Sequence, residues 1–336
     1  MKQPRMYALD GARGFAAFCI LLFHVLGSRI PLFSHLYIAV DFFFVLSGFV
    51  LGSAIARVTN LKEARKFLIS RFVRIFPMVL AIICFTCIYD LTIIGKQWFF
   101  EEPSTSPIIL NIPTLVASVL MLQILYKPAV LVNYPIWSLS AEWIVNVAVT
   151  LTQVFTSKSR YLSLLIGASL IIVSGITGSE LMNQLGRALW GFTIGLSLFA
   201  LRCSFVEKHR TTIFISALLV PVYVVTPQLA GYHSLLSIWP FAACILILSK
   251  LNAPAIVSRF LANIGIYSYG FYLWHFPMLG ISNFLLDYIQ VDSLSISRIF
   301  FELALSSLLS ILATKASLLV FEDPIRRYWQ QKSQLI

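Results

Sequence analysis

The sequence has few charged residues, and this shortage restricts what the chain can be. Asp, Glu, Lys and Arg make up only 12% of the 336 residues, whereas 59% are hydrophobic and the mean hydropathy is +0.86. Soluble domains are about 25% charged and about 45–50% apolar, so the composition excludes an ordinary soluble globular fold. It indicates an integral membrane protein whose surroundings are the lipid bilayer.

Cysteines are also few and form no recognisable framework. The five cysteines, at positions 19, 84, 87, 203 and 244, lie in or beside apolar stretches. Cys84 and Cys87 have CxxC spacing, but no second pair of ligands lies near them in the sequence. We interpret the cysteines as small buried hydrophobic residues and expect no metal and no bound cofactor.

Long apolar runs are plentiful, and a helix crosses the hydrocarbon core in about 20 residues. Ten such runs occur, at 12–30, 37–56, 76–94, 137–156, 161–178, 187–202, 211–228, 234–250, 263–286 and 298–320. The sequence therefore predicts an all-α polytopic membrane helix bundle of about ten transmembrane helices. The stretch 112–126 is also apolar but short, so a re-entrant path and a crossing are both open. The pairs Gly48–Gly52 and Gly191–Gly195 have the GxxxG spacing of closely packed helices.

Basic residues predict the orientation, because loops that face the cytoplasm collect Lys and Arg. With ten spans and an inner N-terminus, 18 of the 25 Lys and Arg fall in cytoplasmic segments and three in outer ones. A crossing at 112–126 would invert every later loop and largely remove this bias. We therefore predict that both termini are cytoplasmic, and we attribute the net charge of +11 to this placement and not to nucleic acid. Residues 1–330 are expected to form one transmembrane domain and 331–336 a short polar cytoplasmic tail.

Several ionisable residues lie in or beside the apolar runs, where they usually face the interior of a bundle and mark a functional site. Arg13 and His24 are almost three helical turns apart, so they point from one face of the first span at a separation of about 16 Å. Arg71 and Arg74 lie one turn apart at the inner end of the third span. Asp41 and Glu142 enter later spans from the outer side.

These residue types suit a long ligand that carries phosphate. Arginine donates two hydrogen bonds at once to a phosphate, and histidine accepts a proton near neutral pH. A donor anchored at the inner arginines would bring a reactive group up to His24. Simpler roles are open for several of these residues: pairing of Arg13 with Asp10, orientation signals at Arg71 and Arg74, a helix cap at Asp41, and packing at His24 and His275.

Six stretches resemble motifs of the acyltransferase-3 family of integral membrane acyltransferases. They are LDGARGFAAFCILLFH, VDFFFVLSGFVLG, RFVRIFP, WSLSAEW, SYGFYLWHFP and FEDPIRR. Because they occur in the family's order from residue 9 to residue 327, the resemblance covers nearly the whole chain. It implies transfer of an acyl group, commonly acetyl, from cytoplasmic acyl-CoA to a carbohydrate such as O-antigen, exopolysaccharide or a lipid-linked sugar.

By motif position, the resemblance places the family's essential histidine at His24, its basic residue at Arg13 and its glutamate at Glu142. We therefore expect an O-acyltransferase of the bacterial inner membrane, O-acetyl transfer being favoured, with His24 and Glu142 as catalytic residues. His24 would take the proton of a sugar hydroxyl, and Glu142 would either orient the imidazole or hold the sugar. A covalent acyl-histidine intermediate is equally open.

The remaining assignments concern the two substrates. The acyl-CoA phosphates are assigned to Arg13, Arg71 and Arg74, and the carbohydrate acceptor to Asp41, Trp137 and Ser138. The aromatic residues between 98 and 137 form either a sugar-stacking platform or an interfacial belt.

The competing functional class is a proton-coupled transporter or flippase. The glycine and proline interruptions do not recur in two matched halves, which argues against it.

Overall fold

The computed structural model describes residues 5–100, 112–126, 133–220, 233–251, 254–291 and 295–334. This part of the chain is helical and contains no strand. The α-helices are α1 (Tyr7–Leu26), α2 (Ala39–Ile55), α3 (Leu61–Phe100), α4 (Ile112–Val119), α5 (Ile136–Phe155), α6 (Ser159–Thr177), α7 (Glu180–Lys208), α8 (Arg210–Leu218), α9 (His233–Leu248), α10 (Ala255–Tyr288), α11 (Ile296–Ser317) and α12 (Asp323–Gln334). Short 3₁₀ turns occur at Pro31–Phe33, Leu36–Ile38 and Gln123–Leu125, and a π-helical turn, Leu318–Glu322, joins α11 to α12.

The predicted all-α class is confirmed, and every predicted apolar run contains helix. Part of the run 211–228 lies outside the described residues, as does most of the connection that follows α3. Five described stretches are long and apolar enough to cross a membrane by length and composition: Tyr7–Leu26, Pro31–Ile55, Leu61–Tyr89, Ser159–Thr177 and Ile296–Trp329. The count of ten spans and the orientation of the termini stay predictions.

The stretch 112–126 forms a short helix and a turn. Helix α4 has eight residues, so it is about 12 Å long, whereas the hydrocarbon core is about 30 Å thick. The chain turns after α4 at Met121, whose φ is 54°, and a 3₁₀ turn follows. In the residues that the structure describes here, no helix is long enough to cross the membrane.

Helix α3 begins earlier than the apolar pattern predicts. The sequence places the start of the third span at 76, after a loop, whereas the helix runs without interruption from Leu61. The charged residues of its first turns end the apolar pattern but not the helix, because Lys, Glu and Arg are good helix formers. Arg71 and Arg74 consequently lie within a long helix and not at the end of a loop.

Glycines bring α2 and α7 into close contact. A Cβ atom at Gly48 would lie 1.9 Å from the carbonyl oxygen of Phe192, and one at Gly195 would lie 2.0 Å from that of Val45. Only glycine permits these approaches, which confirms the packing role predicted for the two GxxxG pairs. Helix α1 packs against α10, and α7 also packs against α6. Two cavities lie among these helices, with walls from α1, α2, α3, α5, α7 and α10 and from the segment that follows α11.

Candidate active site

The larger of two cavities, called the large cavity, has a volume of about 1070 Å³. Its wall follows α2 from Val40 to Ser53, a distance of about 20 Å at the helical rise. The charged residues that line it are six arginines, Arg5, Arg13, Arg57, Arg71, Arg74 and Arg326, and three carboxylates, Asp10, Glu142 and Glu322. Among the described residues, the large cavity therefore has an excess of three positive charges, which favours an anionic ligand.

Apolar side chains also line the large cavity. Those from α2, α3 and α5, called the apolar wall, are Val40, Phe43, Phe44, Leu46, Val50, Leu51, Ile75 and Leu139. The cavity thus has both cationic and apolar lining residues. The predicted donor residues Arg13, Arg71 and Arg74 all line this cavity.

Arg13 is held by α10. Its Nε donates a hydrogen bond of 2.7 Å to Ser268 Oγ, and its Nη2 donates to the carbonyl oxygen of Gly265. The same Nη2 lies 3.4 Å from Asp10 Oδ1, so the predicted pairing of Arg13 with Asp10 is confirmed. These contacts fix the guanidinium in place and leave Nη1 for a ligand.

Glu142 lies with the arginines in the large cavity. Arg71 Nη2 donates a hydrogen bond of 2.9 Å to Glu142 Oε1, and Ser47 Oγ donates one of 2.6 Å to the same oxygen. Arg71 is therefore largely neutralised, whereas Arg74 makes no ion pair with any described residue. The observed partners of Glu142 Oε1 are therefore Arg71 and Ser47, and the role of Glu142 in orienting His24 stays a prediction.

The second cavity, called the small cavity, has a volume of about 230 Å³ and contains His24 on its wall. It lies where the C-terminal end of α1 meets the N-terminal ends of α2, α5 and α7. Its other lining residues are Ile20, Phe23, Tyr37, Val40, Tyr134, Pro135, Trp137, Glu180, Asn183, Gln184, Arg187 and Tyr272. Trp137, which was predicted to contact the acceptor, therefore lines the small cavity, whereas Glu142 does not.

The imidazole of His24 is half-buried and packed among rings. Its centroid lies 5.0 Å from that of Phe23 and 5.2 Å from those of His275 and Phe276. His275 is fully buried, and its Nδ1 bonds to the carbonyl oxygen of Tyr272. His24 thus lines the small cavity with its imidazole packed among three other rings.

Asp41 forms a buried ion pair and lines neither cavity. Its Oδ1 accepts a hydrogen bond of 2.9 Å from Arg187 Nε, and its side chain is fully buried. The guanidinium of Arg187 lies over the rings of Tyr37 and Trp137, at 5.4 and 5.8 Å from their centroids. Asp41 therefore pairs with Arg187 and neither caps α2 nor lines a cavity. Its connection to the small cavity is through Arg187, which lines that cavity.

The two cavities adjoin at Val40 and Tyr272, which line both. The hydroxyl of Tyr272 lies 2.7 Å from Ser138 Oγ and donates to the carbonyl oxygen of Pro135 at 3.1 Å. Consecutive residues at the start of α5 face different cavities, since Trp137 lines the small one and Ser138 the large one. Arg13 and His24, which were expected to contact one long donor, thus line two adjoining cavities.

Sequence reasoning missed several residues of the site. Arg187 begins the predicted run 187–202, where an ionisable residue is itself a sign of function, and it has no role in the predictions above. Tyr272 and His275 belong to SYGFYLWHFP, a stretch that was recognised without roles for its residues. Arg57 and Arg326 also line the cavity of Arg13, and nothing in their local sequence indicates that helix packing brings them there.

Comparisons with known proteins identify the family of the chain. The model of the Acyl_transf_3 family, described as an acyltransferase domain, matches residues 6–315. A Komagataeibacter xylinus protein named as a membrane-bound transacylase, BcsY, is 25% identical over 344 residues, which cover 96% of this chain and 85% of that protein. No solved structure matches the chain. This chain is an integral membrane protein and belongs to the Acyl_transf_3 family of acyltransferases.

Proposed function

We propose that this protein is an O-acyltransferase of the bacterial inner membrane. It transfers an acyl group, acetyl being favoured, from cytoplasmic acyl-CoA to a hydroxyl of a cell-surface or lipid-linked carbohydrate. The observation that carries the proposal is the pairing of two unlike cavities along α1. Arg13 on this helix lines the cationic cavity, and His24, three turns further on, lines the adjoining small one.

The large cavity suits acyl-CoA in both charge and shape. The phosphates of CoA are anionic, and an arginine guanidinium binds a phosphate through two parallel hydrogen bonds. Arg74 and Arg57 have no ion pair among the described residues, so they are the freest donors in the cavity. The long arm of CoA would follow the apolar wall, which places the thioester near Val40 and Tyr272.

The reaction is a direct transfer at this boundary. His24 removes the proton from a sugar hydroxyl as its oxygen attacks the thioester carbonyl. The new carbon–oxygen bond forms, the carbon–sulfur bond breaks, and the departing CoA thiolate takes the proton from the imidazolium. General base catalysis of this kind contributes about 10²–10⁴ in rate. A route through an acyl-histidine gives the same products in two steps.

The other predicted residues have supporting roles in this proposal. Ser138 lies at the boundary, bonded to Tyr272, where it holds the wall past which the thioester extends. Trp137 forms part of the acceptor side, and Asp41 acts through Arg187. Glu142 keeps Arg71 in place in the donor cavity.

The orientation follows from the basic residues. We propose ten spans with both termini in the cytoplasm, since most Lys and Arg then lie in cytoplasmic segments. Single-cysteine labelling checks this arrangement: a cysteine at Ser34 should react from outside and one at Lys62 from inside. Reaction of the Ser34 position from inside would overturn it.

Labelled acetyl-CoA tests the function itself. Purified protein in liposomes receives acetyl-CoA carrying a labelled acetyl group and the glycan of its host. We expect label in the glycan, lost on mild alkaline treatment because the product is an ester. Movement of the glycan across the bilayer without transfer of label would favour the transporter alternative.

A further inference from the structure

Arg187 has a buried hydrogen-bond donor that has no role in the proposed transfer reaction. Its side chain is buried, its Nε is bound to Asp41, and its Nη2 has no hydrogen-bond partner among the described residues. A buried ion pair is not by itself a stabilising device, because desolvation of the two charges offsets their attraction. A buried nitrogen without a partner also costs free energy. Since Arg187 lines the small cavity, a ligand there would supply the missing acceptor.

The charges around the small cavity decide which kind of ligand fits. Asp41 neutralises Arg187, and Glu180 contributes a further negative charge at the cavity wall. The small cavity therefore offers no net positive charge to an anion, in contrast to the large cavity. The buried donor of Arg187 suits an uncharged oxygen, such as a hydroxyl or a ring oxygen.

The remaining groups and the volume also suit a single sugar ring. Asn183 and Gln184 place side-chain amides on the wall. Burial and the neighbouring Glu180 raise the pKa of Tyr134 above its usual value, so its phenol stays a protonated donor. At about 230 Å³, the cavity is smaller than the ~300–1,000 Å³ of drug-sized ligand sites, which leaves room for one ring.

We propose that the small cavity binds one uncharged sugar ring of the acceptor and that Arg187, oriented by Asp41, recognises it through a hydrogen bond from Nη2. This assignment rests on the proposed function and adds the charge class of the acceptor to it. Arg187 is a binding and specificity residue here. His24 performs the chemistry on a hydroxyl of the same ring.

The test measures binding without requiring transfer. Saturation-transfer NMR on the purified protein uses methyl glycosides of glucose, galactose, mannose and N-acetylglucosamine, with methyl glucuronide and methyl galacturonide as acidic counterparts. We expect at least one neutral glycoside to bind, and each uronide to bind more weakly than its neutral counterpart. Tighter binding of a uronide, or no binding of any neutral glycoside in the millimolar range, would overturn the proposal.

Substitution of Arg187 tests its role. Arg187→Lys keeps the charge opposite Asp41 but loses the planar fork that donates in two directions. It should weaken neutral glycoside binding about tenfold, the size of one hydrogen bond, and leave acyl-CoA binding unchanged. Arg298→Lys is the matched control: Arg298 is also buried and paired, with Asp287, but lines neither cavity, so glycoside binding should change less than twofold.

A second variant tests the role of Arg187 if the first does not fold, and a separate measurement tests the proposed function. If Arg187→Lys does not fold, the double variant Asp41→Asn/Arg187→Gln removes both charges together and should show the same loss. Unchanged glycoside binding in whichever variant folds would overturn the role of Arg187. Failure of the proposed function is a separate result, namely no labelled acyl group in the host glycan even though neutral glycosides bind.

Discussion

The two cavities lie side by side, yet two arginines of the large cavity are held differently from the arginine of the small one. In the large cavity, Arg57 and Arg74 have no ion pair among the described residues, and the arginines outnumber the carboxylates. In the small cavity, Arg187 is buried, paired with Asp41 and enclosed by two aromatic rings. Free cationic groups attract an anion, whereas a neutralised and rigid guanidinium offers directed hydrogen bonds.

This difference suits a transferase with two unlike substrates. A donor that carries phosphates gains binding energy from unpaired charge, and an uncharged acceptor gains it from fixed donors and aromatic surface. In the proposed reaction, keeping the two environments apart would prevent each substrate from occupying the other's place. The substitutions below disturb this separation, and the one with the largest expected effect comes first.

Replacement of His24 should abolish transfer and leave the donor side intact. His24→Ala removes the proposed base, so we expect the transfer rate to fall at least 100-fold. Because His24 lines only the small cavity, the affinity for acyl-CoA should stay within twofold of the wild type. Rates are measured with labelled acetyl-CoA and affinities by calorimetry.

His35→Ala is the control for this variant, since His35 lines neither cavity. It should keep the transfer rate near that of the wild type. Full activity in His24→Ala, with normal insertion into the membrane, would remove the imidazole from the mechanism.

A larger side chain at the boundary should stop passage between the cavities. Val40 lines both, so Val40→Phe adds bulk where the thioester and the hydroxyl are proposed to meet. We expect transfer to fall about 10- to 100-fold, because a displacement of about 1 Å at reacting atoms costs this much. The affinities for acyl-CoA and for glycoside, measured separately, should each change little.

Val40→Ala is the matched variant at the same position. It leaves the boundary open, so the transfer rate should stay near the wild-type value despite a modest loss of stability. Equal rates for the Phe and Ala variants would show that the substrates do not meet there.

The helices and their order were predictable because they depend on local composition, and the GxxxG pairs indicated close packing without identifying α7 as the partner of α2. Arg13 and His24 were also placed on one face of α1 by helical periodicity alone. Their placement in two adjoining cavities was not predictable, since it depends on how α2, α5 and α10 pack around α1. The pairs Arg71–Glu142 and Asp41–Arg187 join residues 71 and 146 positions apart, and no local pattern specifies such partners.

Removal of a free arginine should weaken donor binding alone. Arg74→Ala is expected to raise the dissociation constant of acyl-CoA about 10-fold, the value of one charge-assisted hydrogen bond, without changing glycoside binding. The effect should shrink as salt is added. Arg65→Ala, an exposed change on the same helix that lines neither cavity, should have no effect. An equal effect of both substitutions would mean that general positive charge, and not the cavity, holds the donor.

The smallest effect is expected from removal of the negative charge of Glu180 at the wall of the small cavity. Glu180 is exposed and accepts a hydrogen bond of 2.8 Å from Gln184, so Glu180→Gln removes one negative charge with little change in shape. The preference for a neutral glycoside over its uronide should fall about two- to threefold at low salt, since an exposed charge acts weakly. The difference should disappear at high salt because the interaction is then screened. An unchanged preference at low salt would mean that shape, and not charge, excludes the uronide, and the contrast between the cavities would then rest on Arg187 and Asp41 alone.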